Sequence, residues 1–148
     1  MIDLWPEVIK YTDMKAPVNI LKEQAALLGN KTQNIVTAKV SPFDTPGESP
    51  FVYSFLIVAT ALGNYHYELF KIEYDIEFYP ARIYLDTEIA DELSKQGLTI
   101  DEVRSSLIGR ERLIAYSESE FLELLRKIFS AKKTQRIISA LLTQSTTS

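Results

Sequence analysis

The stretch Tyr65–Pro80, YHYELFKIEYDIEFYP, holds four of the chain's eight tyrosines and its only histidine, with Glu68, Glu73, Asp75 and Glu77 threaded between the aromatics. Whether it is a strand decides the fold. Successive side chains of a strand point to opposite faces. One set is His66, Glu68, Phe70, Ile72, Tyr74, Ile76 and Phe78; the other is Tyr65, Tyr67, Leu69, Lys71, Glu73, Asp75 and Glu77. From Phe70 onward the first set is apolar or aromatic and the second is charged. That alternation predicts an antiparallel strand with Phe70, Ile72, Tyr74, Ile76 and Phe78 in the core and a solvated acidic face behind them. At the start of the stretch the pattern is less clean. There Tyr65 and Tyr67 share a side with Leu69, and the strand is expected to leave the core and present both rings outward.

Upstream, Leu62-Gly63-Asn64 reads as a tight turn, because glycine and asparagine tolerate positive φ. FVYSFLIVAT (51–60) is β-branched and aromatic on both faces, which predicts a central strand. SPFDTPGESP (41–50) contains three prolines and Gly47 and reads as a loop. NIVTAKV (34–40) alternates, with Val36, Ala38 and Val40 on one side, as a strand does. The chain before it has a helical period. In APVNILKEQAALLGN (16–30), Val18, Leu21, Ala25 and Leu28 recur on one face, Pro17 suits a first turn, and Gly29-Asn30 supply a stop. WPEVIK (5–10) is expected to begin a short helix, since proline is tolerated at a first helical position.

Downstream, ARIYLD (81–86) predicts a fourth strand. The helical period returns at Thr87 with Ile89 and Leu93, and Gly97 closes that element. Thr99 with Glu102 makes a capping box ahead of Val103 and Leu107, which predicts another helix. RLIAYS (112–117) predicts a fifth strand. A second capping box, Ser117 with Glu120, opens a helix whose inner face is Phe121, Leu124, Leu125 and Ile128. KKTQRIISALL (132–142) forms the last helix, and the polar tail 143–148 is expected to fray. No internal repeat or linker interrupts residues 1–148, so one domain is expected. The order of elements predicts an α+β fold: an antiparallel sheet of four to five strands packed by N- and C-terminal helices.

The totals exclude several classes of chemistry. A chain of 148 residues, 46% hydrophobic and 24% charged, buries enough surface to fold without a metal or a cross-link. The absence of cysteine removes disulfides, thiolate metal sites and thiol nucleophiles together. The leading residues lack the basic and continuous apolar regions of a secretory signal. The apolar run FLIVA is far below the ~20 residues of a membrane span. A cytoplasmic protein with no membrane partner is the expectation.

Three features carry candidate chemistry. Glu73, Asp75 and Glu77 share one strand face, with Asp86 and Glu88 close in sequence. Converging carboxylates can hold a divalent cation, but same-face neighbours on one strand stand about 7 Å apart. A nuclease-like metal site would need ligands from another strand, and a solvated acidic face is the simpler reading. His66 has neither a serine elbow nor a cysteine beside it, with Glu68 as its one potential orienting partner. The five glycines fall singly at expected turns and helix ends, so no phosphate cradle and no cofactor are expected.

The third feature is basic. Arg126, Lys127, Lys132, Lys133 and Arg136 lie in eleven residues without an acid. Subtracting that +5 from the net charge of −4 leaves −9 for the remainder. An acidic body argues against general nucleic-acid affinity and suits steering toward basic partners. The basic segment reads first as cations completing helix ends, then as a protein contact, and last as a nucleic-acid contact.

PVNILKEQAALLGNKTQNIVTAKV (17–40) and SESEFLELLRKIFSAKKTQRIISALL (117–142) resemble stretches of small uncharacterised bacterial proteins. In size, acidity and lack of catalytic motifs the chain is also loosely similar to the immunity proteins of bacterial toxin systems. The resemblance implies a bacterial α+β protein and carries no functional residue across. The favoured function is therefore a non-catalytic protein-interaction module, immunity- or antitoxin-like in its sharpest form. It would bind an unidentified protein through Tyr65, Tyr67, Glu73, Asp75 and Glu77. The alternatives are a metal-dependent, nuclease-like enzyme using the strand carboxylates and nucleic-acid binding through the basic segment. Self-association is open to a molecule with an acidic body and one basic segment.

Overall fold

The computed structural model describes residues 1–44, 51–104 and 106–146. The chain forms α1 (Pro17–Lys31), β1 (Thr37–Pro42), β2 (Phe51–Ala59), β3 (Tyr65–Tyr74), β4 (Ala81–Leu85), α2 (Thr87–Lys95), β5 (Asp101–Glu102), β6 (Glu111–Ala115), α3 (Glu118–Ser130) and α4 (Lys132–Thr146). The fold is α+β, with an open antiparallel sheet of six strands in the order β1-β2-β3-β4-β6-β5. That is one strand more than the sequence predicts. The loop expected at 41–50 lies outside the described residues from Thr45 to Pro50; before them Pro42 still belongs to β1.

The extra strand is β5. Thr99 and Glu102 do not cap a helix. Asp101 and Glu102 instead pair with Arg112 and Glu111 of β6, and the Arg112 Nε–Asp101 Oδ2 bond of 2.6 Å fixes the register. Leu107, expected on an inner helical face, is exposed. The segment between the two strands crosses Tyr84 so closely that a Cβ on Gly109 would come within 2.9 Å of the Tyr84 Cβ. A local capping pattern lost to a long-range pairing that satisfies more backbone and an ion pair.

Other signals hold. Gly63 and Asn64 take φ of 67° and 58° after a 3-10 turn at Thr60–Leu62. The Ser117 hydroxyl accepts from the Glu120 N–H at 3.2 Å to start α3, and the Glu120 carboxylate accepts from the Tyr116 N–H at 2.6 Å. The stop of α1 sits later than predicted. Gly29 is inside the helix, where a Cβ would meet Asn34 Oδ1 at 2.9 Å, and the left-handed residues are Gln33 and Asn34. α4 runs to Thr146, whose hydroxyl bonds the Leu142 carbonyl at 3.0 Å.

All four helices contribute to one hydrophobic cluster on one side of the sheet. Phe55 of β2 stacks on Phe70 of β3 at 5.0 Å between centroids, and Phe129 of α3 tilts over both. α1 packs along β1, α4 against β2, and α2 and α3 against β6. No helix among the described residues is long and apolar enough to cross a membrane.

Residues 1–16 contain neither helix nor strand, so the short helix expected at WPEVIK is absent. Six residues are too few to offset the cost of helix nucleation without a surface to pack on. The segment is tied at its root. The Lys15 N–H donates to Glu118 Oε1 at 2.8 Å, and its carbonyl accepts from the Tyr79 hydroxyl at 3.2 Å.

Candidate functional site

The residues singled out in the sequence divide between two faces of the sheet, and a β-bulge divides them. β2 and β3 pair Phe55 with Phe70 but Leu56 with Glu68, so Leu69 is an extra residue on β3. A bulge of this kind shifts the alternation by one. Tyr74, Ile72 and Phe70 face the helices, and so do Leu69, Tyr67 and Tyr65 beyond the bulge. Glu73, Lys71, Glu68 and His66 face the other way. The expected grouping of Tyr65 and Tyr67 with Glu73 is therefore corrected: they occupy opposite faces. Ile76, expected in the core, is 76% exposed. β3 ends at Tyr74, and a turn closed by Phe78 N–H to Asp75 O (2.9 Å), with Phe78 at φ 78°, carries Asp75, Ile76 and Glu77 away from the strand.

Tyr67 and the basic segment meet inside the fold. Lys133 of α4 lies 2.7 Å from Asp86 Oδ2, and Asp86 also caps α2 by accepting the Ile89 N–H at 2.8 Å. Lys133 is held protonated above its ordinary range, first by the hydrogen bond to Asp86 and in smaller part by Tyr67. Arg136 pairs with Glu88 at 2.6 Å, and Glu92 accepts the Lys132 N–H at 2.9 Å. Asp86 at the cap of α2 and Glu88 and Glu92 within it thus meet Lys133, Arg136 and the Lys132 backbone. Arg126 and Lys132 project into solvent and Lys127 is half-buried. Tyr65 and Tyr67 line a shallow surface depression against Ile137, Ala140 and Leu141 of α4.

The helix-free face carries the most developed polar arrangement. Glu73, expected in a solvated row, is only 6% exposed. Its Oε1 accepts from Arg82 Nε at 2.6 Å and from the Tyr84 hydroxyl at 2.9 Å. The same hydroxyl accepts from Arg112 Nη1 at 3.0 Å, and Arg112 continues to Asp101. Asp75 adds a longer contact to Arg82 Nη2 at 3.8 Å. Beside this chain, Glu68 bonds Lys71 and the Ser54 hydroxyl, while Lys71 Nζ sits 4.8 Å above the Phe43 ring. His66 is exposed, and its Nδ1 lies 2.5 Å from the Asn64 carbonyl rather than against Glu68.

Chemically this row is closed. Tyr84 donates one hydrogen bond and accepts one, and each carboxylate that is buried has a cation. Among the described residues no group of three or more His, Cys, Asp or Glu side chains converges as a metal site. The arrangement cross-links β3, β4, β6 and β5 through side chains. Sequence alone left Arg82, Tyr84, Arg112 and Asp101 out. The available signal was the opposite charge of Glu73 and Arg82 on neighbouring predicted strands, but register is needed to pair them.

Burial also raises three phenols: Tyr74, with Tyr53 adding to the effect; Tyr79, pushed up to about 12 with Glu118 adding; and Tyr84, where the Arg112 bond opposes the rise and Glu73 supports it. Unfolded tyrosines ionise near about 10. Between about pH 10 and 12 the unfolded chain releases protons that the folded chain keeps, so stability falls as pH rises through that window. The expected result is an early group of tyrosines titrating by ultraviolet absorbance, then a late group that ionises as the denaturation midpoint drops. A single wave for all tyrosines without loss of stability would contradict the burial of these rings.

Among the described residues, exposed large apolar side chains gather elsewhere. Met1, Ile2, Leu4, Trp5, Val8, Ile9, Tyr11 and Met14 all stand in solvent along the leading segment. Its root at Lys15 touches Tyr79, so this segment and the acidic turn Asp75–Glu77 belong to the same end of the molecule. No protein family, curated protein or solved structure compared with the chain matches it.

Proposed function

We propose that this protein is a non-catalytic binding module that engages another protein through the end of the molecule formed by residues 1–14 and the turn Asp75–Glu77. One observation carries the reading: eight large apolar side chains in the leading segment lie uncovered in water. A run of eight such side chains exceeds the singly scattered apolar residues that are normal on a surface, and large exposed apolar patches mark interaction sites. The neighbouring turn adds an exposed isoleucine between two exposed carboxylates, an apolar contact with a charged rim. The rim favours a basic partner and fast, salt-sensitive association. Inhibition of a basic partner, as in an immunity or antitoxin protein, is the sharpest form of this reading. Tyr65 and Tyr67 are left to the α4 side of the sheet and have no part in this surface.

The test is a nuclease-treated pull-down from the host, followed by reconstitution from purified partner and measurement of association rates. Asp75→Lys with Glu77→Lys reverses the rim without touching the buried Glu73. At low salt the double variant is expected to associate at least about tenfold more slowly, with an unchanged melting temperature. Equal on-rates would remove the turn from the interface. An eluate that contains no stoichiometric protein partner would overturn the binding-module reading.

A further inference from the structure

The helix layer has a gap beside α1. Leu27, Leu28 and Lys31 of α1 face Phe129 of α3 and Ile138 of α4 across it, and Ile57 forms part of its floor. The cavity is about 210 Å³ and its lining is mainly apolar, with Gln24, Lys31 and Gln135 as the polar residues. It is below the roughly 300–1,000 Å³ of small-molecule sites. Its dimensions suit one or two large apolar side chains. Leu27, on its rim, is 46% exposed with nothing covering it.

We infer that this groove receives the leading segment of a second copy of the chain, with Leu4 and Trp5 as the inserted side chains, in a reciprocal arm-exchanged dimer. The inference rests on reading residues 1–14 as a binding element, names a second copy as what they bind, and leaves the turn Asp75–Glu77 to meet the basic partner. Three observations favour this occupant. Arm and groove are both apolar and both uncovered in the same molecule, so a two-fold pair covers two arms and two grooves at once. Their charges match: residues 1–14 carry Asp3, Glu7 and Asp13 against Lys10, while the charged residue lining the groove is Lys31. The arm also has reach. Fourteen extended residues span up to roughly 46–50 Å. The arm's root is meanwhile held at the opposite end of α1 by the bonds of Lys15 to Glu118 and Tyr79.

Trp5 is the chain's single tryptophan and reports directly on the contact. In the free arm it is 75% exposed. The experiment measures mass by sedimentation equilibrium and Trp5 emission across a dilution series of the full chain. The variants are a chain lacking residues 1–14, Trp5→Ala, and Leu27→Glu, which places a like charge opposite the acidic arm on an already exposed helix position. The expected result is a dimer whose Trp5 emission is blue-shifted and moves to the red on dilution. Each variant should dissociate at a concentration at least tenfold higher, with unchanged helical circular dichroism. Monomeric mass at every concentration with red Trp5 emission overturns the inference. Monomeric mass with blue-shifted Trp5 at all dilutions overturns it too, placing the arm in its own groove. So does a dimer that survives removal of residues 1–14 or Leu27→Glu. These outcomes leave the charge-reversal test of the acidic turn untouched, so failure of the dimer and failure of the binding-module reading are separable.

Discussion

Replacing Glu73 by alanine is expected to lower stability by about 3–5 kcal/mol, the range for removing one partner of a buried ion pair. The carboxylate sits 6% exposed between the Arg82 guanidinium and the Tyr84 hydroxyl. Alanine removes the acceptor that the Arg82 guanidinium and the Tyr84 hydroxyl share. Part of the loss is tempered because Asp75 is already 3.8 Å from Arg82 and can take up some of its charge. Glu73→Gln retains an acceptor for both donors and is expected to cost distinctly less. For a domain of this size each kcal/mol moves the melting temperature by about 2–4 °C, so the alanine variant should melt roughly 10 °C lower. Urea denaturation of both variants checks the ranking. A loss below about 1 kcal/mol for alanine would mean that the row is peripheral to stability.

Phe70→Ala is expected to have a comparable effect, about 3–5 kcal/mol, through a different mechanism. The ring is 2% exposed and stacked between Phe55 and the tilted Phe129. Its removal opens a cavity where β2, β3 and α3 meet, and a stacked ring such as Phe55 has no flexible neighbour to fill it. Leu at this position should recover a large part of the loss. Phe70 and Glu73 point to opposite faces of β3 and share no partner, so the double variant is expected to lose the sum of the two single losses. A large deviation from additivity in urea denaturation would show that the two faces are coupled through the strand.

These two residues also mark how far the candidate site could be read from sequence. Phe70, Ile72 and Tyr74 were predictable as core because alternation over that half of β3 is uninterrupted. The charged side of the strand was predictable as a face, but its burial was not. Burial of Glu73 depends on Arg82 and Tyr84, which come from the next strand. The five residues expected to form one surface divided because Leu69, an inserted residue, turns Tyr65 and Tyr67 away from Glu73, and because β3 ends before Asp75 and Glu77. No local feature of the sequence announces a bulge, since both registers keep the apolar residues inside over part of the strand.

The basic segment shows the same limit. Its charges were visible, and so was their helical setting. Their partners were not, because Asp86, which caps α2, and Glu88 within it lie more than forty residues upstream and meet Lys133 and Arg136 only when both helices settle on the sheet. The leading segment failed in the opposite direction: Pro6 and the apolar residues after it fit a first helical turn, but a lone turn has no surface against which to repay nucleation.

The sequence by itself determined most of the helices and strands, the turn at Gly63-Asn64, the start of α3 and the apolar faces of α2 and α3. Those depend on φ preferences, capping bonds and side-chain periodicity within a few residues. Tertiary structure alone decided the sixth strand, the bulge, the buried row from Glu73 to Asp101, and the exposure of residues 1–14 beside an open groove. Each of these rests on which distant groups become neighbours, and that is settled by register and packing rather than by local preference.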